Sequence, residues 1–514
     1  MRKSNLLFSL FGCQSIISFL FLFLFPIPLF SQTKDFKSFL DQKMSFQDAR
    51  HLLVRTGFCA SPKEIQAFQN LTPREGVKKI LSTMNTKPET TPPSWLNEPY
   101  EDLRKFRREL KQLSPEEQRA MLKLMRRMVR DRQWQLKGWW MKEMVHTSSP
   151  FTERMVLFWH NHFTSSLKKC RSPKLMYQQL QLYRKFAKGN FKKFVKAVTR
   201  NPAMIIYLDT RTNRKGKPNE NFARELMELF TLGEGHYTEE DIKQSARAFT
   251  GYSFNPYTGE FFLRPRQHDW GKKKFMGKEG YFLGDDIVDI IFQKKAVSLY
   301  ITRKLWKEFI SPNPAEEEVE RLAKIFRDSK YELEPLLEAI FTSPYFWDPK
   351  NRGTLIKSPI EMVIGTIRLF QFYVKDYSIL ARAAAQLGQN PLDPPNVKGW
   401  EGGIRWITTS TLLYRRQILM NFIRGFGGRS LDNIRKLGKG RGMGKGEMMK
   451  MAGKAMEKKM MSLLDIPQNM DSSRQVKYIT RLLLPLPPVQ PIENPKNVLD
   501  VVQHCLLDIS YQLK

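Results

Sequence analysis

Residues Ser114–Val145, SPEEQRAMLKLMRRMVRDRQWQLKGWWMKEMV, decide the fold class. The Ser114 hydroxyl can accept a helix-start N–H, Pro115 is tolerated in the first turn, and Glu117 sits where a capping box closes. Met121, Leu122, Leu124, Met125, Met128 and Val129 then form a broad apolar side with arginines opposite, so the spacing predicts one helix to about Val145 whose cations are a solvated face. The same start signal recurs at Ser61-Pro62-Lys63-Glu64, Thr72-Pro73-Arg74-Glu75, Asn313-Pro314-Ala315-Glu316 and Ser358-Pro359-Ile360-Glu361. Five such starts argue for a mainly helical chain. Further helices are expected over Thr152–Phe163 and Leu175–Lys188, the second stopped by Gly189 and followed by Asn190 as the next cap. The exception is Tyr252–Arg264, YSFNPYTGEFFLR, where a Pro/Gly turn separates two short aromatic runs. The class is therefore all-α, a multi-helix globular body with one small β-hairpin near 252–264.

The 514 residues allow more than one core, and 41% hydrophobic with 12% aromatic residues exclude general disorder. Arg2 and Lys3 precede the apolar run Leu6–Phe30, with Ser31 before Gln32, which is the pattern of a signal peptide over 1–31 cleaved near Ser31. The run is long enough to span a bilayer, so a retained anchor stays open, although Pro26 and Pro28 favour cleavage. The chain is thus expected to be exported, periplasmic or extracellular, which leaves cytoplasmic nucleic acid out of reach. Cys59, Cys170 and Cys505 would remain, an odd set with no zinc-ribbon spacing and no disulfide framework. A helical body over 32–424 is followed at 425–461 by a composition break. Nine glycines lie between Gly425 and Gly453, and ten cations face three acids between Arg429 and Lys459, which predicts a mobile basic Gly/Met/Lys-rich excursion. Apolar periodicity returns in 462–514, expected to dock back on the body. Leu392–Ile407, LDPPNVKGWEGGIRWI, is too rich in Pro and Gly to be regular.

Chemistry concentrates in two stretches. Asn219–Ile242 carries seven carboxylates and His236 against Arg224 alone, in a chain with 85 Lys and Arg against 51 Asp and Glu. At helical spacing Asn221, Arg224, Glu225 and Glu228 share one side and Phe222, Leu226, Leu229 and Phe230 the other; the simplest account is a solvated face with an Arg224/Glu228 pair. The second stretch is Phe158–Phe163, FWHNHF, whose imidazoles lie among large apolar side chains. Glu153 shares a face with His160 and is a candidate orienting carboxylate, while His162 points elsewhere. Satisfied structural histidines are the alternative for both. Joined, the stretches suggest a mixed N/O site for a divalent metal made by His160, His162, Glu225 and Glu228, with His236, His268 and Asp269 as further candidates, although no HExxH-type signature is present.

His51-Leu52-Leu53-Val54-Arg55-Thr56-Gly57-Phe58, Phe158–Phe163, Asn219–Gly233, Ala246–Gly251, His268-Asp269, Asn351-Arg352-Gly353-Thr354 and Asp393–Trp400 occur in one order across most of the mature chain. In these residues the chain resembles the exported bacterial proteins catalogued as domain of unknown function 1800. The resemblance implies an exported bacterial protein, often encoded beside a second exported protein that is sulfatase-like or phosphatase-like, and it implies no activity. The stretch after Phe426 departs from the family pattern. Three functions remain open: a metal-dependent enzyme that activates water at the His/carboxylate site, a module binding an anionic surface or polysaccharide through its net charge of +34 with Trp400 and Trp406 for stacking, and a scaffold for another exported protein. Met443, Met448, Met449, Met451, Met456, Met460 and Met461 are soft donors suited to Cu(I), though glycine and lysine in the same run favour a linker.

Overall fold

The computed structural model describes residues 34–99, 103–423 and 445–514. The expected signal peptide at 1–31, and residues 425–444 of the expected excursion, lie outside the described residues. Helices dominate, with two small antiparallel sheets among the described residues. Ser61, Thr72, Ser114 and Ser358 each accept from the N–H three residues on, while the glutamate there bonds back, so four of the five start signals work as the capping box requires. Asn313 does not: the helix starts at Glu316, whose carboxylate is taken by Arg303 at 2.6–3.1 Å, and the Asn313 carbonyl accepts from Ser311 Oγ instead.

The Pro115–His146 helix has two halves with different surroundings. None of its residues before Leu136 is buried, whereas Leu136–Met141, Glu143 and Met144 are. Gly138 marks where the second half enters the body, since a Cβ there would stand 2.8 Å from the Ser378 backbone nitrogen. Beneath it the Pro150–His162 and Pro173–Lys185 helices pack together, and Trp159, Phe163, Tyr183, Phe191 and Phe194 form a buried aromatic cluster with edge-on and stacked rings. Burying each such ring contributes roughly 1.5–3 kcal/mol. Asn190 caps the Phe191–Thr199 helix as expected, its Oδ1 accepting from Lys193 N at 2.9 Å.

Strands β1 (Tyr252–Phe254) and β2 (Phe261–Leu263) pair in the register Tyr252↔Leu263, which is the hairpin expected from the sequence. A second hairpin, β3 (Lys273–Phe275) and β4 (Lys278–Gly280), was not anticipated. Its two-residue turn places both Met276 and Gly277 at positive φ, a geometry usually signalled by Asn-Gly or Asp-Gly, and methionine hides it.

The C-terminal segment docks on the body through the Ser472–Leu483 and Val498–Leu507 helices. Arg50 donates to the carbonyls of Leu482 and Leu483, Arg415 reaches Gln512, and Lys357 donates to the Tyr511 carbonyl. The later part of the expected excursion is also ordered: Lys445–Leu463 is a helix and Met460 is buried. Met, Lys, Ala and Glu are strong helix formers, and from Lys445 on glycines occur only at Gly446 and Gly453, so local propensity prevails there over the composition of the whole run. Cys59, Cys170 and Cys505 are free thiols, each raised to about 12 by burial. No helix among the described residues is long and apolar enough to cross a membrane.

Candidate functional site

A cleft of about 410 Å³ opens between the end of the Pro150–His162 helix, the Lys295–Phe309 helix and the Pro/Gly loop 392–407. Pro150 starts the first of these helices, and every residue from Phe151 to Leu157 is buried. Its end is held by the loop. Asn161 Oδ1 accepts from Trp400 N at 2.7 Å and Asn161 Nδ2 donates to Trp400 O at 3.1 Å. The loop is anchored at its start by Asp393, which accepts from Ser166 Oγ, Lys168 N and Lys137 Nζ at 2.7–2.8 Å. Trp400 and Trp406 are therefore packed walls of the cleft and not exposed platforms.

Gly399 has φ +82°, and a Cβ there would lie 2.2 Å from Asn161 Oδ1. Gly399→Ala should break the Asn161–Trp400 clasp, costing about 1–3 kcal/mol for the strained backbone alone. Thermal unfolding and tryptophan fluorescence would check this; an unchanged Tm would mean that the loop does not need the clasp.

His160 and His162 point to different sides of the helix. The buried His160 ring meets Trp140, Trp400 and Tyr183 at centroid distances of 5.6, 5.7 and 6.5 Å, and neither ring nitrogen has a hydrogen-bond partner among the described residues. Burial lowers its pKa to about 4. The expected orienting carboxylate is engaged elsewhere: Glu153 accepts from Arg184 Nε, Arg184 Nη2 and Trp140 Nε1 at 2.6–2.9 Å. His162 Nε2 lies 3.1 Å from the Phe230 carbonyl, so that nitrogen carries the proton and donates, and Nδ1 accepts from Lys304 Nζ at 3.1 Å. Burial, reinforced by the Lys304 charge, holds the His162 pKa well below the usual range.

The acidic stretch is arranged differently from the simple expectation. Arg224 pairs with Glu239 at 2.7 Å and with Glu220 at 3.4 Å, and not with Glu228, which accepts from Tyr237 Oη at 2.9 Å. Glu239, fifteen residues away, reaches Arg224 because the Glu239–Ala248 helix packs on the Asn221–Glu228 helix. Burial first, and then the neighbouring Glu228, raise the Glu225 pKa, while the cleft residue Lys398 acts the other way. His236 is exposed in a turn. His268 Nδ1 lies 2.8 Å from the Thr250 carbonyl, and Asp269 is gripped by Arg247 at 2.7 and 3.3 Å; this clasp ties the segment between the two hairpins to the end of the Glu239–Ala248 helix. Among the described residues no group of three His, Cys, Asp or Glu side chains could hold a metal ion. The physical reason at His162 is that an ammonium already occupies its free lone pair.

The residues that sequence reasoning missed are the lysines. In the cleft floor Arg154, Glu308, Glu361 and Lys514 form a closed network, with Arg154–Glu308 and Lys514–Glu361 both at 2.5 Å and Arg154 also on Glu361. Burial works against ionisation of Glu361, yet Arg154 and Lys514 together hold its carboxyl down at about 2. Glu401 is taken by Arg405. Lys304, Lys307 and Lys398 remain, lining the cleft with no ion-pair partner among the described residues. Burial lowers Lys304 to about 8. Its sequence context, LYITRKLWKEF, is an ordinary amphipathic helix, and nothing in it marks this lysine out.

An all-α body with a lysine-bearing, tryptophan-walled cleft is the class that fold and site define. The family model described as "Protein of unknown function (DUF1800)" matches residues 51–505, and the chain belongs to that family. Comparison with curated proteins and with solved structures returns no match.

Proposed function

We propose that the cleft binds an anionic, ring-bearing ligand, with an acidic saccharide as the class, and that the chain does so outside the cytoplasm. The observation that carries this is the convergence of Lys304, Lys307 and Lys398, none of them ion-paired among the described residues, on a cleft walled by Phe158, Trp400 and Trp406. A partly buried ammonium without a carboxylate is costly, and an anionic group entering the cleft would supply the missing counter-charge. The indole and phenyl walls offer apolar surface to a sugar ring, as recognition sites of this size commonly do. Acidic, sulfated or phosphorylated saccharide would also suit the sulfatase-like or phosphatase-like exported partner that the family resemblance implies. A metal-dependent hydrolysis remains a second function only with ligands other than His162, because its Nδ1 accepts from Lys304.

Calorimetric titration with an oligogalacturonate tests the proposal. Lys304→Met should weaken binding about tenfold or more at pH 7, the loss of one charge-assisted contact. The sign of the pH dependence follows from the lysine. Its ammonium is intact below about 8 and is lost above, so affinity should fall as pH rises through that range. Unaltered affinity in the variant, or no binding by the wild type, would overturn the reading.

A further inference from the structure

The unburied half of the Pro115–His146 helix, with the Leu103–Gln112 helix joined to its start by a short turn, forms a cationic arm. From Leu103 to Arg132 the sequence carries eleven Lys and Arg against four Asp and Glu. Within it Arg119, Lys123, Arg126 and Arg130 recur at i, i+4, i+7 and i+11, which places them within roughly 60° of arc on the helix and about 4.5–6 Å apart along its axis. All four are exposed, and none has an ion-pair partner among the described residues. Of the acids of the helix, Glu117 closes the Ser114 cap and Asp131 sits 3.9 Å from Arg127, while Glu116 borders the stripe only at its start, one turn before Arg119. The four stripe residues stand clear of the core, since no residue of this helix before Leu136 is buried and its contact with the core begins around Trp134 and Gln135.

We infer that this stripe is a docking surface for a linear polyanion, specifically an acidic polysaccharide. Four like charges in a row repel one another and favour a partner whose negative groups repeat along a line. The axial spacing is comparable with the length of one sugar unit in an extended chain. A bilayer fits less well. Leu124 and Met121, the exposed apolar residues of the arm, lie roughly 130–170° around the helix from the stripe, so a membrane that received them would face away from the cations.

The test uses the whole protein with the four residues changed together to glutamine, a change confined to exposed side chains. Three probes are compared by biolayer interferometry: polygalacturonate, vesicles of phosphatidylglycerol, and duplex DNA. Wild type should prefer polygalacturonate, and the quadruple variant should bind it at least about tenfold more weakly with a flatter dependence on salt, as fewer counter-ions are released. A variant keeping four charges as lysine should retain binding, and the four glutamine changes made in a Lys304→Met background should lower the remaining binding by the same factor as in wild type, which separates the arm from the cleft. Equal binding by the glutamine variant, no binding by wild type, or a preference for vesicles or DNA would each overturn the assignment.

Discussion

Arg184→Met should lower the unfolding free energy by about 3–5 kcal/mol, because it leaves a carboxylate buried with too few donors. Arg184 and Glu153 have side-chain exposures of 0% and 1%. Two guanidinium N–H groups donate to the two Glu153 oxygens at 2.6 and 2.9 Å, and Trp140 Nε1 supplies the third bond at 2.9 Å. With the guanidinium gone, the indole alone would solvate the charge. Glu153→Leu combined with Arg184→Met should cost less than Arg184→Met alone, about 1–3 kcal/mol, since no charge is then left buried and only the Trp140 donor and the half-buried Gln181 acceptor lose a partner. Urea denaturation of the single and double variants measures both values. A loss below about 1 kcal/mol for Arg184→Met would mean that Glu153 takes up a proton or water at little cost.

Acidification should act through His160 next. Its pKa in the folded chain is about 4 against about 6.5 when unfolded, and a base held below its unfolded value contributes stability that is present above pH 6.5 and lost as pH falls toward 4. Between pH 7 and pH 5 this single ring should remove about 2 kcal/mol. His162, lowered by burial and by Lys304, acts with the same sign. Glu361 also loses stability on acidification, but between about pH 4.5 and 2, and so does not overlap the upper part of this window. The pH 7 to pH 5 difference in unfolding free energy, measured for wild type and for His160→Leu, isolates the ring. Parallel pH profiles for the two proteins would show that His160 titrates normally or stays satisfied.

The helical class, most of its start points and the first hairpin were legible in the sequence because they are local. A capping box spans four residues, apolar periodicity spans two turns, and a Pro/Gly turn between aromatic runs needs no distant partner. Ser114 and Ser358 announce their helices for that reason, and Asn313 fails where Glu316 answers to Arg303 instead. The composition of 425–461 misled over its later part, where helix-forming residues outweigh two glycines and Met460 finds the core. The candidate site divides along the same line. That FWHNHF would carry buried imidazoles follows from its apolar neighbours alone. Which group each imidazole meets does not, since Phe230, Lys304 and Trp400 lie 68 to 240 residues away from them in sequence and arrive only through packing. The sequence by itself determined a mainly helical body with its first hairpin, its buried aromatic histidine motif and the solvated cationic face of the long helix, all set by side-chain spacing along one segment. Only the tertiary structure decided that Glu153 serves Arg184, that Arg224 serves Glu239, and that three lysines from separate segments share one cleft, because a charge's partner is fixed by which surfaces meet and not by its neighbours in the chain.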